Sequence, residues 1–146
     1  MNIQNIRSRK NYLDNIGEVN MDKKCYQIVT NNPVVKENYD RVIFVDGSFQ
    51  DVLLKARDLV HSGHQLINHP LGASIRMFFS PYRSILVSDK PDNLDINHVE
   101  IIENSIVSYN KQMEHRKPDE ANRKDYAFID GELLKSSLEE YKRLSI

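Results

Sequence analysis

A long stretch of the chain without acidic residues carries several side chains that could bind an anion. The chain has 21 aspartates and glutamates in 146 residues, yet none lies between Asp58 and Asp89. Arg76 and Arg83 fall within this window, and arginine forks suit carboxylate or phosphate groups. The window therefore suggests an anion site, although two of its segments are also typical of buried strands, which exclude acids in any case.

The connection from residue 70 to residue 83 is the unusual part of this window. It is long for a loop of an α/β fold, and long ordered loops are often functional. Two interpretations stay open. Either Arg76 and Arg83 bind a ligand, or Met77–Phe79 anchor the loop in the core or against a partner while the arginines pair with acids elsewhere.

Three histidines in the window raise the question of a metal ion. His61, His64 and His69 have the spacing H-x2-H-x4-H, but zinc needs three ligands at one point. His61 and His64 can instead stabilise a helix C-terminus by charge. A set of Ser74, His69 and Asp46 lacks the G-x-S-x-G elbow of serine hydrolases. We therefore expect no metal and no cofactor.

Apolar runs and turn residues predict strands that alternate with helices. The predicted strands are 25–30, 41–47, 65–69, 84–88 and 126–130. The predicted helices begin at Asn32–Pro33, at Ser48, at Ile96 and after Asp130, and the second of them ends at Gly63. This order predicts an α/β fold, a three-layer sandwich with a small, mostly parallel sheet flanked by helices. We expect a polar N-terminal extension, residues 1–23, and a single α/β domain, residues 24–146.

The turns after the predicted strands are where a ligand would bind, because parallel strands end at one edge of a sheet. Together with the arginines, they give the candidate ligand-binding residues Asn31, Asn32, Gly47, Ser48, His69, Arg76 and Arg83. Helix N-termini at this edge would offer free N–H groups to an anion. Helix capping alone would explain the first two turns equally well, and the chain has no glycine-rich phosphate motif.

An apolar stripe marks the predicted helix that begins at Ile96. Its members are Val99, Ile102, Ile106, Tyr109 and Met113. The stripe is too short for a coiled coil. Core packing and a helix-mediated homodimer both remain open.

Composition excludes several classes of protein. The formal net charge is -1, so no basic field attracts nucleic acid. No apolar run approaches the length of a membrane span, and Cys25 is the single cysteine, so no disulfide framework exists. We expect a cytoplasmic protein that binds neither nucleic acid nor membrane.

Several short pieces, in order, resemble the GrdX family over roughly residues 25–142. They are TNNP (30–33), DVL (51–53), RDLVH (57–61), GH (63–64), HPL (69–71), SPY (80–82) and ENSI (103–106). One loop departs from the family pattern, because IRMFFSPYR stands where a more polar stretch is expected. A ligand or partner of this loop would therefore differ from that of other members.

The resemblance implies a biological context and no reaction. Proteins of the GrdX type are encoded beside the glycine reductase system of amino-acid-fermenting anaerobes, which reduces glycine to acetyl phosphate and ammonia. The resemblance thus implies an accessory role, with glycine reductase components as partners, and it assigns no catalytic residues. From the residues themselves, the alternative is a small enzyme or sensor that binds an anionic small molecule such as phosphate, an acyl phosphate or an amino acid.

Overall fold

A computed structural model describes residues 25–72 and 75–144, so the predicted extension, residues 1–23, lies outside the described residues. The strands are β1 (Tyr26–Thr30), β2 (Val42–Phe44) and β3 (Ser84–Ser88). The helices are α1 (Pro33–Asn38), α2 (Phe49–His61), α3 (Ile96–Gln112) and α4 (Arg123–Leu144). Short 3-10 segments at Ile75–Phe79 and Glu120–Asn122 precede β3 and α4.

The three strands form a mixed sheet in the order β2-β1-β3. β1 runs parallel to β2 and antiparallel to β3, with Thr30 opposite Phe44 on one side and Ser84 on the other. The α/β class is confirmed, and the prediction of a mostly parallel sheet is wrong. Local sequence predicts that a segment is extended, whereas strand direction depends on the path of the whole connection.

The first two helices begin where capping chemistry predicts. The Asn32 side chain accepts a hydrogen bond from the Val34 N–H, and Pro33 takes the first helical position of α1. Ser48 and Asp51 form a reciprocal capping box at the start of α2. Gly63 follows the end of α2 with a φ of 104°, a conformation that glycine adopts without steric cost.

The segment 65–69, predicted as a strand, makes only an isolated bridge between Leu66 and Val87. After this bridge, a side chain replaces the backbone along the outer edge of β3. Asn68 Oδ1 accepts from the Leu86 N–H at 2.8 Å, and its Nδ2 donates to the Ser84 carbonyl at 3.4 Å. The prediction of a strand here is wrong, because an amide side chain takes the ladder positions that a further strand residue would occupy.

The segment 126–130, also predicted as a strand, lies inside α4. The buried face of this helix consists of Ala127, Asp130, Leu134 and Leu138. These positions follow steps of three and four, which is the helical period. The prediction of a strand is wrong, because the helix predicted to begin after Asp130 begins at Arg123 and includes Asp130 in its buried face.

Two hydrophobic clusters pack against the sheet. One contains Val29 and Ile85 together with α2 and α3, and the other contains Ile28 and Leu86 together with α1 and α4. Neighbouring residues of a strand point to opposite faces, so the clusters lie on opposite sides of the sheet. The α3 stripe belongs to the first cluster, as the core-packing interpretation predicts. No helix in the described part of the chain is both long and apolar enough to cross a membrane.

Candidate functional site: a cleft beside a buried arginine

Asn31 joins three loops at the edge of the sheet where β1 ends and β3 begins. Its Nδ2 donates to the Gly47 carbonyl at 2.9 Å and to the Pro81 carbonyl at 2.7 Å. Its Oδ1 accepts from the Arg83 backbone N–H at 2.9 Å. The first two predicted turns therefore do meet at one edge. Because the amide is buried and makes all of these bonds, its observed role is to hold the loops together.

Asn32 is fully buried and connects α1 to α4. Its Oδ1 caps α1, while its Nδ2 donates to the Ala127 carbonyl at 2.9 Å and to Asp130 Oδ2 at 3.0 Å. These bonds use both hydrogens of the amide. A ligand would have to displace one of them.

Asp130 is the centre of this polar network, and it is not among the predicted site residues. It is 0% exposed. Oδ1 accepts from the Ser84 backbone N–H at 2.9 Å, and Oδ2 accepts from Ser84 Oγ at 2.7 Å and from Asn32 Nδ2 at 3.0 Å. Thr30 Oγ1 lies 2.7 Å from Ser84 Oγ. A buried carboxylate thus ties α4 to the paired ends of β1 and β3. The helical spacing of its neighbours was the signal that could have revealed it.

Gly47 and Ser48 lie at the exposed start of α2, where an anion could in principle bind. The Asp51 carboxylate already fills this position. Its Oδ2 accepts from the Ser48 backbone N–H at 2.8 Å and lies 3.1 Å from Ser48 Oγ. A Cβ added at Gly47 would collide with the same carboxylate. The protein therefore supplies its own anion to this helix N-terminus.

Arg83 is the buried cation of the site, with only 4% of its surface exposed. Nε donates to the Pro70 carbonyl at 2.8 Å, and Nη2 donates to the His69 carbonyl at 2.6 Å. Burial lowers the pKa of Arg83, and the nearby Asp130 opposes that effect. Among the described residues, no ion pair involves Arg83, and Nη1 donates to none of them. The guanidinium is thus held in place by neutral carbonyls.

His69 presents a neutral ring beside this cation. Loss of solvent around the ring lowers the pKa of His69 from 6.5, and the charge of Arg83 lowers it further. The Leu71 N–H donates to Nδ1 at 3.1 Å, so the proton of the neutral ring resides on Nε2. At neutral pH, His69 therefore offers a hydrogen-bond donor without a charge.

An open cleft of about 620 Å³ adjoins Arg83 and His69. One wall is formed by Ile67, Asn68, His69, Gly72 and Arg83. The other wall is a face of α4, formed by Leu133, Ser136, Ser137, Glu140, Tyr141 and Leu144. His69 and Arg83 are thus the two predicted ligand-binding residues that the structure places in one cleft. The α4 residues were not predicted.

Arg76 lies outside this cleft. It is exposed and lines a neighbouring groove with Asp119 and Asp125. Leu133 borders both depressions. The two arginines of the acid-free window therefore face different surroundings, and only Arg83 combines burial with an adjoining cleft.

The other two histidines of the window have separate partners. His61 Nε2 lies 2.9 Å from Glu103 Oε1, and His64 Nδ1 lies 2.8 Å from the Ser88 carbonyl. The three histidines therefore do not converge on one point. Ser74, the third member of the set with His69 and Asp46, lies outside the described residues.

The family model for GrdX-like protein matches residues 27–139, which is most of the chain. The match covers the network around Asp130 and most of the cleft. The chain belongs to the GrdX-like protein family. Comparisons with curated proteins and with solved structures give no match.

Proposed function

We propose that this protein is a non-enzymatic accessory protein of a glycine-reductase-type system and that it binds a small anionic ligand in the cleft beside Arg83. Membership of the GrdX-like family supports the first part. The observation that carries the second is the Arg83 guanidinium, which is almost fully buried and bonded to two neutral carbonyls. A carboxylate or phosphate would supply the charge that these carbonyls lack.

The energetics of burial favour an anion at this position. A buried charge is costly unless a counter-charge and hydrogen bonds compensate it. The carboxylate that acts on Arg83, Asp130, already accepts hydrogen bonds from Ser84 and Asn32. Nε and Nη2 of Arg83 already donate to carbonyls. A ligand that accepts from Nη1 of Arg83 and from His69 Nε2–H would gain charge-assisted hydrogen bonds at the guanidinium, which are about twice as strong as neutral ones.

The same geometry favours binding over catalysis. A hydroxyl beside a carboxylate can act as a nucleophile with its base, and Ser84 with Asp130 has that arrangement. Ser84 is 1% exposed and Asp130 is 0% exposed, so no substrate reaches them. In the cleft itself, Arg83 and neutral His69 are donors suited to holding an oxyanion.

The ligand-binding part is tested by a thermal-shift and calorimetric screen with acetate, glycine, phosphate and acetyl phosphate. A ligand at 100 times its Kd adds about 2.7 kcal/mol of stability. Arg83→Lys keeps a basic side chain but loses the planar fork. His69→Gln changes the second donor, and Arg76→Lys in the neighbouring groove is the matched control.

We expect at least one anion to stabilise the wild-type protein, and we expect Arg83→Lys to weaken this binding while Arg76→Lys leaves it unchanged. Equal weakening by both substitutions would place the ligand elsewhere. A failure of every anion to stabilise the wild-type protein would reject the cleft as an anion site.

The accessory role is tested separately by anaerobic co-purification of the tagged protein with glycine reductase components. Specific retention of a component, repeated with purified proteins, is the expected result. If purified components fail to associate in the presence and in the absence of the cleft ligand, the accessory role is rejected, whatever the ligand screen shows.

A further inference from the structure

Glu140 and Arg83 line the same cleft. Arg83 belongs to the wall that leads into β3, whereas Glu140 lies on α4 with the other residues of the opposite wall. The two side chains do not form an ion pair with each other, and Glu140 pairs with no other cation of the described residues. The cleft thus carries one positive and one negative group on separate walls.

A ligand that carries both charges would complement this arrangement. We propose that the cleft binds an α-amino acid as its zwitterion, with the carboxylate at Arg83 and the ammonium group at Glu140. This inference rests on the anion-binding role proposed above and names the class of ligand. His69 Nε2–H would provide a further donor to the carboxylate, since its Nδ1 is occupied by the Leu71 N–H.

The size and lining of the cleft indicate an apolar side chain on this amino acid. A water molecule takes about 30 Å³ in the liquid, so a cleft of about 620 Å³ far exceeds what a bare ion needs. Ile67 on one wall and Leu133 and Leu144 on the other provide apolar surface. Burial of aliphatic groups there would add the non-directional part of the affinity.

Leucine and two of its analogues separate the contributions of the two charges. 4-Methylpentanoate lacks the ammonium group, and 3-methylbutylamine lacks the carboxylate. Calorimetric titration of each compound would be made with the wild-type protein, with Glu140→Gln and with the matched control Glu139→Gln. Glu139 is a neighbouring exposed carboxylate of α4 that does not line the cleft.

We expect leucine to bind about fivefold more tightly than 4-methylpentanoate, which corresponds to an ion pair worth about 1 kcal/mol at a partly exposed position. Glu140→Gln should abolish this preference, and Glu139→Gln should preserve it. The amine should bind more weakly than either carboxylate, because it has no group for Arg83.

The outcomes separate this inference from the proposed function. If Glu140→Gln retains the preference for leucine, or if 4-methylpentanoate binds as tightly as leucine to the wild-type protein, the amino-acid inference is wrong while anion binding stands. If neither carboxylate binds but phosphate or acetyl phosphate does, the ligand class is wrong and the anion site survives. If no anion binds at all, both are overturned.

Discussion

Replacement of Asp130 by asparagine tests whether the buried carboxylate holds the sheet edge and α4 together. The substitution keeps the size of the side chain and removes its charge. One oxygen remains to accept from the Ser84 backbone N–H, and the new amide group takes the place of Oδ2. That group would then face two former donors, Ser84 Oγ and Asn32 Nδ2, which lie 2.7 and 3.0 Å from Oδ2.

The expected loss follows from which donors can adapt. The Ser84 hydroxyl can turn its hydrogen toward Thr30 Oγ1, 2.7 Å away. Asn32 Nδ2 has only donors to offer, so two buried donors would oppose each other, at a cost of about 1–3 kcal/mol. Arg83 also loses the nearby negative charge that opposes the effect of its burial. Together we expect a decrease of about 3 kcal/mol in the free energy of unfolding.

Urea denaturation followed by circular dichroism measures this change. With a slope of about 1–3 kcal/mol per molar urea, the midpoint should fall by about 1–3 M. Glu139→Gln, which neutralises an exposed carboxylate of the same helix, is the control. It should change the free energy of unfolding by less than about 0.5 kcal/mol. Similar midpoints for Asp130→Asn and Glu139→Gln would refute the structural role of the network.

Three further perturbations test other parts of the structure. Gly131→Ala should stabilise the protein by about 0.5–1 kcal/mol in thermal unfolding, since Gly131 is helical and an added Cβ meets nothing within 4 Å; a lower Tm would contradict this. Ser48→Ala should cost about 1 kcal/mol through the lost cap and leave ligand affinity unchanged, whereas a loss of affinity would return Ser48 to the binding site. His69 has a folded-state pKa below its ordinary value of 6.5, so the unfolded chain binds its proton more readily and stability should fall as the pH drops below 6.5. His69→Gln should remove that part of the pH dependence. An unchanged pH profile of stability would contradict the lowered pKa of His69.

The sequence predicted the elements whose causes are local. Ser48, with Asp51 three residues later, predicts the start of α2, because the capping box needs only these neighbours. The stripe from Val99 to Met113 predicts the buried face of α3, because helical period depends on spacing alone. Arg83 was also identifiable, because it is one of two arginines in a window without acids.

The tertiary structure decided the direction of the strands, the burial of Asp130 and which distant side chains meet. β3 runs antiparallel to β1, and the ladder position beside it is taken by the Asn68 side chain, because both depend on contacts between distant segments. Asp130 has the sequence neighbourhood of a helix cap, and it becomes the centre of a buried network only because α4 packs across the ends of β1 and β3. The cleft likewise exists only where α4 lies opposite the loop before β3. Local sequence determines what each segment can form, whereas pairing over long separations determines which side chains meet.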